Sequence, residues 1–118
     1  KNVCPTGWHV PTDGEWTTLT DTLGGESVAG GKMKEAGLAH WTTPNTGATN
    51  ESGFAGLPGG NRYSYGTFVD IGFYGYWWGS TEGIYSDARD RFLYYSYGSV
   101  SRGNFSKGSG FSVRCLRD

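Results

Sequence analysis

The sequence predicts an α+β domain, with one or two helices near the N-terminus, a loop-rich middle and small antiparallel sheets built from late strands. Three observations predict it. Residues 12–23 carry a helix-start signal followed by apolar residues at helical spacing. Residues 43–53 are almost all turn formers. From residue 75 onward, aromatic and aliphatic residues alternate with polar ones in short runs. The 118 residues suit one domain, long enough to bury a core without several crosslinks.

Taken in order, Cys4-Pro5-Thr6-Gly7 reads as a turn and Trp8-His9-Val10 as a short strand. Pro11 ends that strand, because proline has no amide to extend a ladder. Thr12-Asp13-Gly14-Glu15 has the form of a capping box. The Thr12 hydroxyl can accept from the Glu15 amide, and the Glu15 carboxylate can reach back to the Thr12 amide. Trp16, Leu19 and Leu23 then share a helix face, and Gly24-Gly25 supplies the left-handed residue at which helices end. Residues 26–34 suggest a second, shorter helix, weakened by Gly30-Gly31. From Gly37 the chain reads as loop. Phe54, Ala55 and Leu57 anchor it to the core, and Leu57-Pro58-Gly59-Gly60-Asn61 turns again. Strands are predicted over 75–82, 90–97 and 110–116. In the second, Arg91, Leu93 and Tyr95 share one face and Asp90, Phe92 and Tyr94 the other. In the last, Phe111, Val113 and Cys115 share a face.

Composition narrows the function classes. Five Trp, eight Tyr and six Phe supply burial that a low hydrophobic share of 36% would otherwise lack. A formal charge of −1 and a pI near 6.1 give no basic surplus for nucleic acid or an anionic membrane. No apolar run is long enough for a membrane-spanning helix. The sequence opens in mid-motif at Lys1, which suggests a piece of a longer chain. Cys4 and Cys115 lie at opposite ends. Their number and spacing do not suit a metal site or a C-x-x-C redox pair. A disulfide joining the first and last strands is favoured over two separately buried thiols. Such a bond contributes on the order of 4 kcal/mol and implies an oxidising compartment.

Catalytic readings find little support. His9 and His40 are the histidines available, and their neighbours Trp8, Val10 and Trp41 suggest structural roles. No H-E-x-x-H, G-x-S-x-G, P-loop or dinucleotide fingerprint occurs. Residues 72–79 are glycine-rich, but the interleaved aromatics suit close packing rather than a phosphate cradle. Asn45, Asn50, Glu51 and Asp70 offer oxygen ligands for calcium, although loop formation explains the asparagines as well. No cofactor is therefore expected, with calcium kept as the alternative. Adjacent Trp77 and Trp78 point to opposite faces of a strand, so at most one is exposed.

Several segments together resemble one family. They are Cys4-Pro5-Thr6-Gly7-Trp8-His9-Val10-Pro11-Thr12, His40-Trp41 with Ser52-Gly53-Phe54 and Leu57-Pro58-Gly59-Gly60, Tyr76-Trp77-Trp78 with Ser80-Thr81-Glu82, and Gly110-Phe111-Ser112-Val113-Arg114-Cys115. In this order they are similar to the Fibrobacter succinogenes major paralogous domain, found in surface and secreted proteins of Fibrobacter and the Bacteroidetes. The resemblance implies a C-type-lectin-like fold, with N- and C-terminal strands paired and Cys4 placed beside Cys115. It also implies kinship with formylglycine-generating enzymes. Those use reactive cysteines late in the domain, and here Cys115 is the late cysteine, already assigned to the bridge. The sugar-binding triplets of calcium-dependent lectins, Glu-Pro-Asn or Gln-Pro-Asp, do not occur; Thr43 precedes Pro44-Asn45.

Residues 83–109 are dominated by Tyr, Ser, Gly, Asp, Arg, Asn and Phe. This stretch resembles the variable segments that diversity-generating retroelements write by mutating adenines. Tyr, Ser, Gly and Asn are also paratope residues, rigid area paired with adaptable hydrogen bonding. The binding face is accordingly expected from Tyr85, Asp87, Arg89, Asp90, Phe92, Ser96, Tyr97, Ser101, Gly103, Asn104, Phe105 and Ser106. The expected function is non-enzymatic recognition of a protein or glycan on a cell or phage-host surface, by a surface, secreted or phage-tail protein. The alternatives are a structural spacer and a carbohydrate-binding module of a polysaccharide-degrading system.

Overall fold

The computed structural model describes residues 3–118; Lys1, where the sequence opens, lies outside them. Helix α1 (Asp13–Thr22) starts at the predicted capping box. Thr12 accepts from the Glu15 amide at 3.1 Å and its own amide donates to Glu15 Oε1 at 3.0 Å. Four threonines tolerate the helix by donating their hydroxyls to carbonyls four residues earlier. Trp16 and Thr20 are its buried residues, while Leu19 and Leu23 pack partly buried against the core. Gly24 and Gly25, at φ 104° and 101°, end it. Helix α2 (Glu26–Met33) follows directly. Its glycines permit close approach: a Cβ on Gly30 would meet the Ser99 carbonyl at 2.0 Å, and one on Gly31 the Gly47 carbonyl at 2.2 Å.

Among the described residues, seven strands form three small antiparallel sheets. β1 (Trp8–His9) pairs with β7 (Leu116–Arg117), joining the two ends of the fold as expected. β2 (Asn61–Arg62) and β3 (Phe68–Val69) make a short hairpin. The principal sheet has the order β4-β5-β6, from β4 (Tyr74–Glu82), β5 (Asp87–Tyr94) and β6 (Val100–Ser106). Two strand predictions need correction. The strand expected over 90–97 begins at Asp87 and ends at Tyr94, because residues 95–99 turn the chain into β6. The continuous strand expected over 110–116 is replaced by isolated pairings and β7. Gly110 pairs antiparallel with Arg62 and Ser112 parallel with Trp77, so the segment crosses between two neighbours and extends neither ladder.

Both helices contact one face of the principal sheet. There Trp16, Ala29, Met33, Trp41, Trp77, Leu93 and Val100 form the core. Arg91 and Arg102, cross-strand partners on that face, both reach Asp13 of α1, at 2.7 Å each. These guanidiniums hold the Asp13 carboxyl below its usual range against the opposing effect of burial. The Cys4–Cys115 disulfide closes the molecule across a separation of 111 residues. Among the described residues no helix is long and apolar enough to cross a membrane.

Candidate functional site

Alternation along the strands sends the other half of the side chains to the face opposite the helices. Cross-strand register aligns Tyr74 with Tyr94, Tyr76 with Phe92 and Ser101, Trp78 with Asp90 and Gly103, and Ala88 with Phe105. The result is a connected sheet of rings. Tyr74 lies 4.3 Å from Tyr94 between centroids and 5.3 Å, stacked, from Tyr76. Phe111 stacks on Trp78 at 4.2 Å and on Tyr76 at 4.7 Å. Phe105 meets Tyr76 and Phe111 edge-on. Tyr76 is nearly covered; Tyr74, Trp78, Phe92, Tyr94, Phe105 and Phe111 each keep part of their surface in solvent. Such edge and offset contacts are the favoured aromatic geometries.

Burial raises the Tyr76 phenol well above its ordinary value. Asp90 lies beneath these rings, fully buried, and among the described residues no side chain or well-aligned amide hydrogen-bonds either carboxylate oxygen. Burial pushes its carboxyl up to about 7, with Arg91 and the nearby amides of Gly103 and Asp90 only tempering the rise.

A buried lysine shapes one end of the face. Lys34, just beyond α2, donates from Nζ to the carbonyls of Tyr94 and Tyr97 at 3.0 Å each, over the Trp41 ring. Its ammonium is thereby fixed under the β5–β6 loop, and burial lowers its pKa to about 8. Tyr97, 59% exposed, stands edge-on to Tyr94 and extends the ring surface into that loop.

The residues expected to bind do not form one patch. Asp90, Phe92, Ser101, Gly103 and Phe105 share the aromatic face. Asp87, Arg89, Asn104 and Ser106 alternate to the helix side, where Asn104 and Asp87 crowd the Gly83 backbone. Tyr85 stands 97% exposed at the β4–β5 turn, with φ 58°. Ser96 and Tyr97 occupy the loop at the opposite end of β5, roughly 23 Å away at strand rise. One small ligand cannot span both ends. Asp90 is the one of these expected residues that is fully covered, lying within the face rather than displayed on it. Sequence reasoning left Tyr74, Tyr76, Trp78, Tyr94 and Phe111 out of the face. The i, i+2, i+4 spacing of Tyr74, Tyr76 and Trp78 carried the signal.

The histidines sit elsewhere. His9 bridges Asp118 at 2.6 Å and Glu15 at 2.9 Å, tying the C-terminus to α1. Those two hydrogen bonds, Asp118 first, raise its pKa. His40 pairs with Glu35 at 2.8 Å. The asparagines considered for calcium are used by loops. Asn45 donates to the carbonyls of Glu35 and Gly37, and Asn50 accepts the Ala55 amide. Both adopt positive φ, the left-handed conformation that asparagine tolerates in turns.

Fold and face together define a disulfide-closed α+β domain presenting an aromatic sheet surface. The chain belongs to the Fibrobacter succinogenes major domain family, whose model matches residues 1–117. Comparison with curated proteins and with solved structures returns no match.

Proposed function

We propose that this domain is a recognition module rather than an enzyme, carried by a surface, secreted or phage-tail protein and built on a C-type-lectin-like fold. The observation behind the reading is the face of partly exposed rings opposite the helices, continued by Tyr97. Such rings offer large contact area with few rotamers to lose, and tyrosine adds a hydroxyl at the tip. The ligand is a protein or glycan surface, because the ring face is broad, running from Phe111 and Trp78 to Tyr94 and Tyr97. Residues 83–109 supply β5, β6 and the loops at both ends of β5. The Tyr-, Ser- and Gly-rich composition of that segment supports the proposal that a retroelement diversifies it. The disulfide is compatible with an extracellular setting.

The test begins by selecting ligands for the wild-type domain from a glycan array and a displayed protein library. Each ligand is then measured against Tyr97→Ala. Binding should weaken by about tenfold, while the melting temperature moves by no more than about 2 °C, as for a surface change. Unchanged affinity, or parallel loss of fold and binding, would count against the reading.

A further inference from the structure

Asp90 occupies the centre of the aromatic face, on the middle strand, between Trp78 of β4 and Gly103 of β6. It is 0% exposed, and its two carboxylate oxygens lack partners among the described residues. The neighbouring cations are committed elsewhere. Arg91 points to the opposite face, where Asp13 and Thr17 hold it; Arg102 is held by Asp13. Gly103 makes the room: a Cβ there would stand 2.5 Å from Asp90 Oδ1 and 2.8 Å from the Phe105 ring. A carboxylate has thus been admitted beneath the rings with no cation among the described residues in contact with it, tempered only by Arg91 behind the strand and the nearby amides of Gly103 and Asp90.

Unpaired buried carboxylates are costly, and a partner of opposite charge recovers most in such a place. Ring faces attract cations, and two free carboxylate oxygens match the planar fork of a guanidinium. We infer that Asp90 and the rings around it form a subsite for an arginine side chain of a partner protein. The inference rests on the recognition reading above and narrows the partner from any surface to a protein presenting arginine. Phe105 lies on the outer strand of the sheet, half-buried, with its ring edge over Gly103. It is the ring that turns aside to admit the cation.

Occupation depends on pH through Asp90. The ionisable groups near it are Tyr76 on β4 and Arg91 behind the strand, with the Tyr74–Tyr94 pair further along the same face. Asp70 and Tyr63 reach the same surroundings through Tyr76. On β6, Ser101, Gly103 and Phe105 contribute none. With the carboxyl raised to about 7 by burial, arginine binds more tightly at pH 8 than at pH 5.

The experiment titrates the ¹⁵N-labelled domain at pH 8 with N-acetyl-arginine N-methylamide, using the citrulline analogue as the uncharged isostere. The amide signals of Gly103 and Phe105 should move with arginine and not with citrulline. Asp90→Asn keeps the side-chain shape and should fold, yet weaken arginine binding by about tenfold, the loss expected for a charge-assisted pair. Equal binding by Asp90→Asn, equal binding of citrulline, or shifts centred away from Gly103 would overturn the inference. So would binding that is no weaker at pH 5. If selected ligands still depend on Tyr97 while the arginine probe fails, the recognition reading stands and the arginine subsite falls.

Discussion

Lys34 and Asp90 are both buried charges, and the chain treats them oppositely. Lys34 donates to two carbonyls and lies over Trp41, so its charge is solvated by the protein. Asp90 receives no such partner. Its ordinary value of 3.8 rises to about 7 on folding, so between those values the native state holds a proton that the unfolded chain releases. Asp90 therefore contributes stability that is fully present below about pH 4 and is lost as pH rises through about 7. Asp90→Asn removes the titration. At pH 8 the variant should be the more stable, by up to about 4 kcal/mol if the whole shift is expressed. At pH 4 the two proteins should differ little. Urea unfolding of both at the two pH values measures this; a variant less stable at pH 8 would show that the carboxylate has a partner in solution.

At the scale of elements, α2 shows why local propensity misleads. Gly30-Gly31 argues against a helix, since each glycine costs up to about 1 kcal/mol relative to alanine. The helix forms because both positions press against other backbone, at Ser99 and Gly47. Gly31→Ala, which improves propensity, should therefore destabilise. The overpacking cost of about 1–3 kcal/mol or more exceeds the propensity gain, and a thermal melt should shift downward by several degrees. An upward shift would mean that the loop at Gly47 yields easily. Such tertiary contacts explain what was legible in the sequence. The capping box at Thr12 and Glu15 and the helix stop at Gly24-Gly25 are local signals, and they read correctly. The alternation of Asp90, Phe92 and Tyr94 against Arg91 and Leu93 is also local. What was not legible depends on partners far along the chain. Phe111 joins the aromatic face because residues 110–112 cross from Arg62 to Trp77, a path no local pattern encodes. Asp87, Arg89, Asn104 and Ser106 fell on the helix side because the register of β5 with β6 sets the face.

The whole molecule divides its tasks between two sides of one sheet. On the helix side, the packed core and the Asp13 clamp on Arg91 and Arg102 fix the fold. The disulfide across 111 residues adds about 4–5 kcal/mol on the chain-entropy account, a large share of the roughly 5–15 kcal/mol typical of a domain. That reserve lets the opposite face accept substitutions that a marginal fold would not survive. Leu93 and Val100 lie within the same stretch, 83–109, but are buried among the core residues. Truncating either costs about 2–5 kcal/mol, whereas a change at Ser101 or Tyr97 costs little. If the segment is diversified, variation must therefore follow strand alternation rather than spread evenly. Deep sequencing of the encoding locus in a growing population should find substitutions at Tyr85, Phe92, Tyr97, Ser101 and Phe105, falling at adenines of a nearby template repeat. Leu93 and Val100 should stay constant in the same reads. An invariant segment with no template would remove the retroelement proposal and leave a recognition face of fixed sequence. Variation as frequent at Leu93 and Val100 as on the aromatic face would show that the two sides do not divide the work in this way.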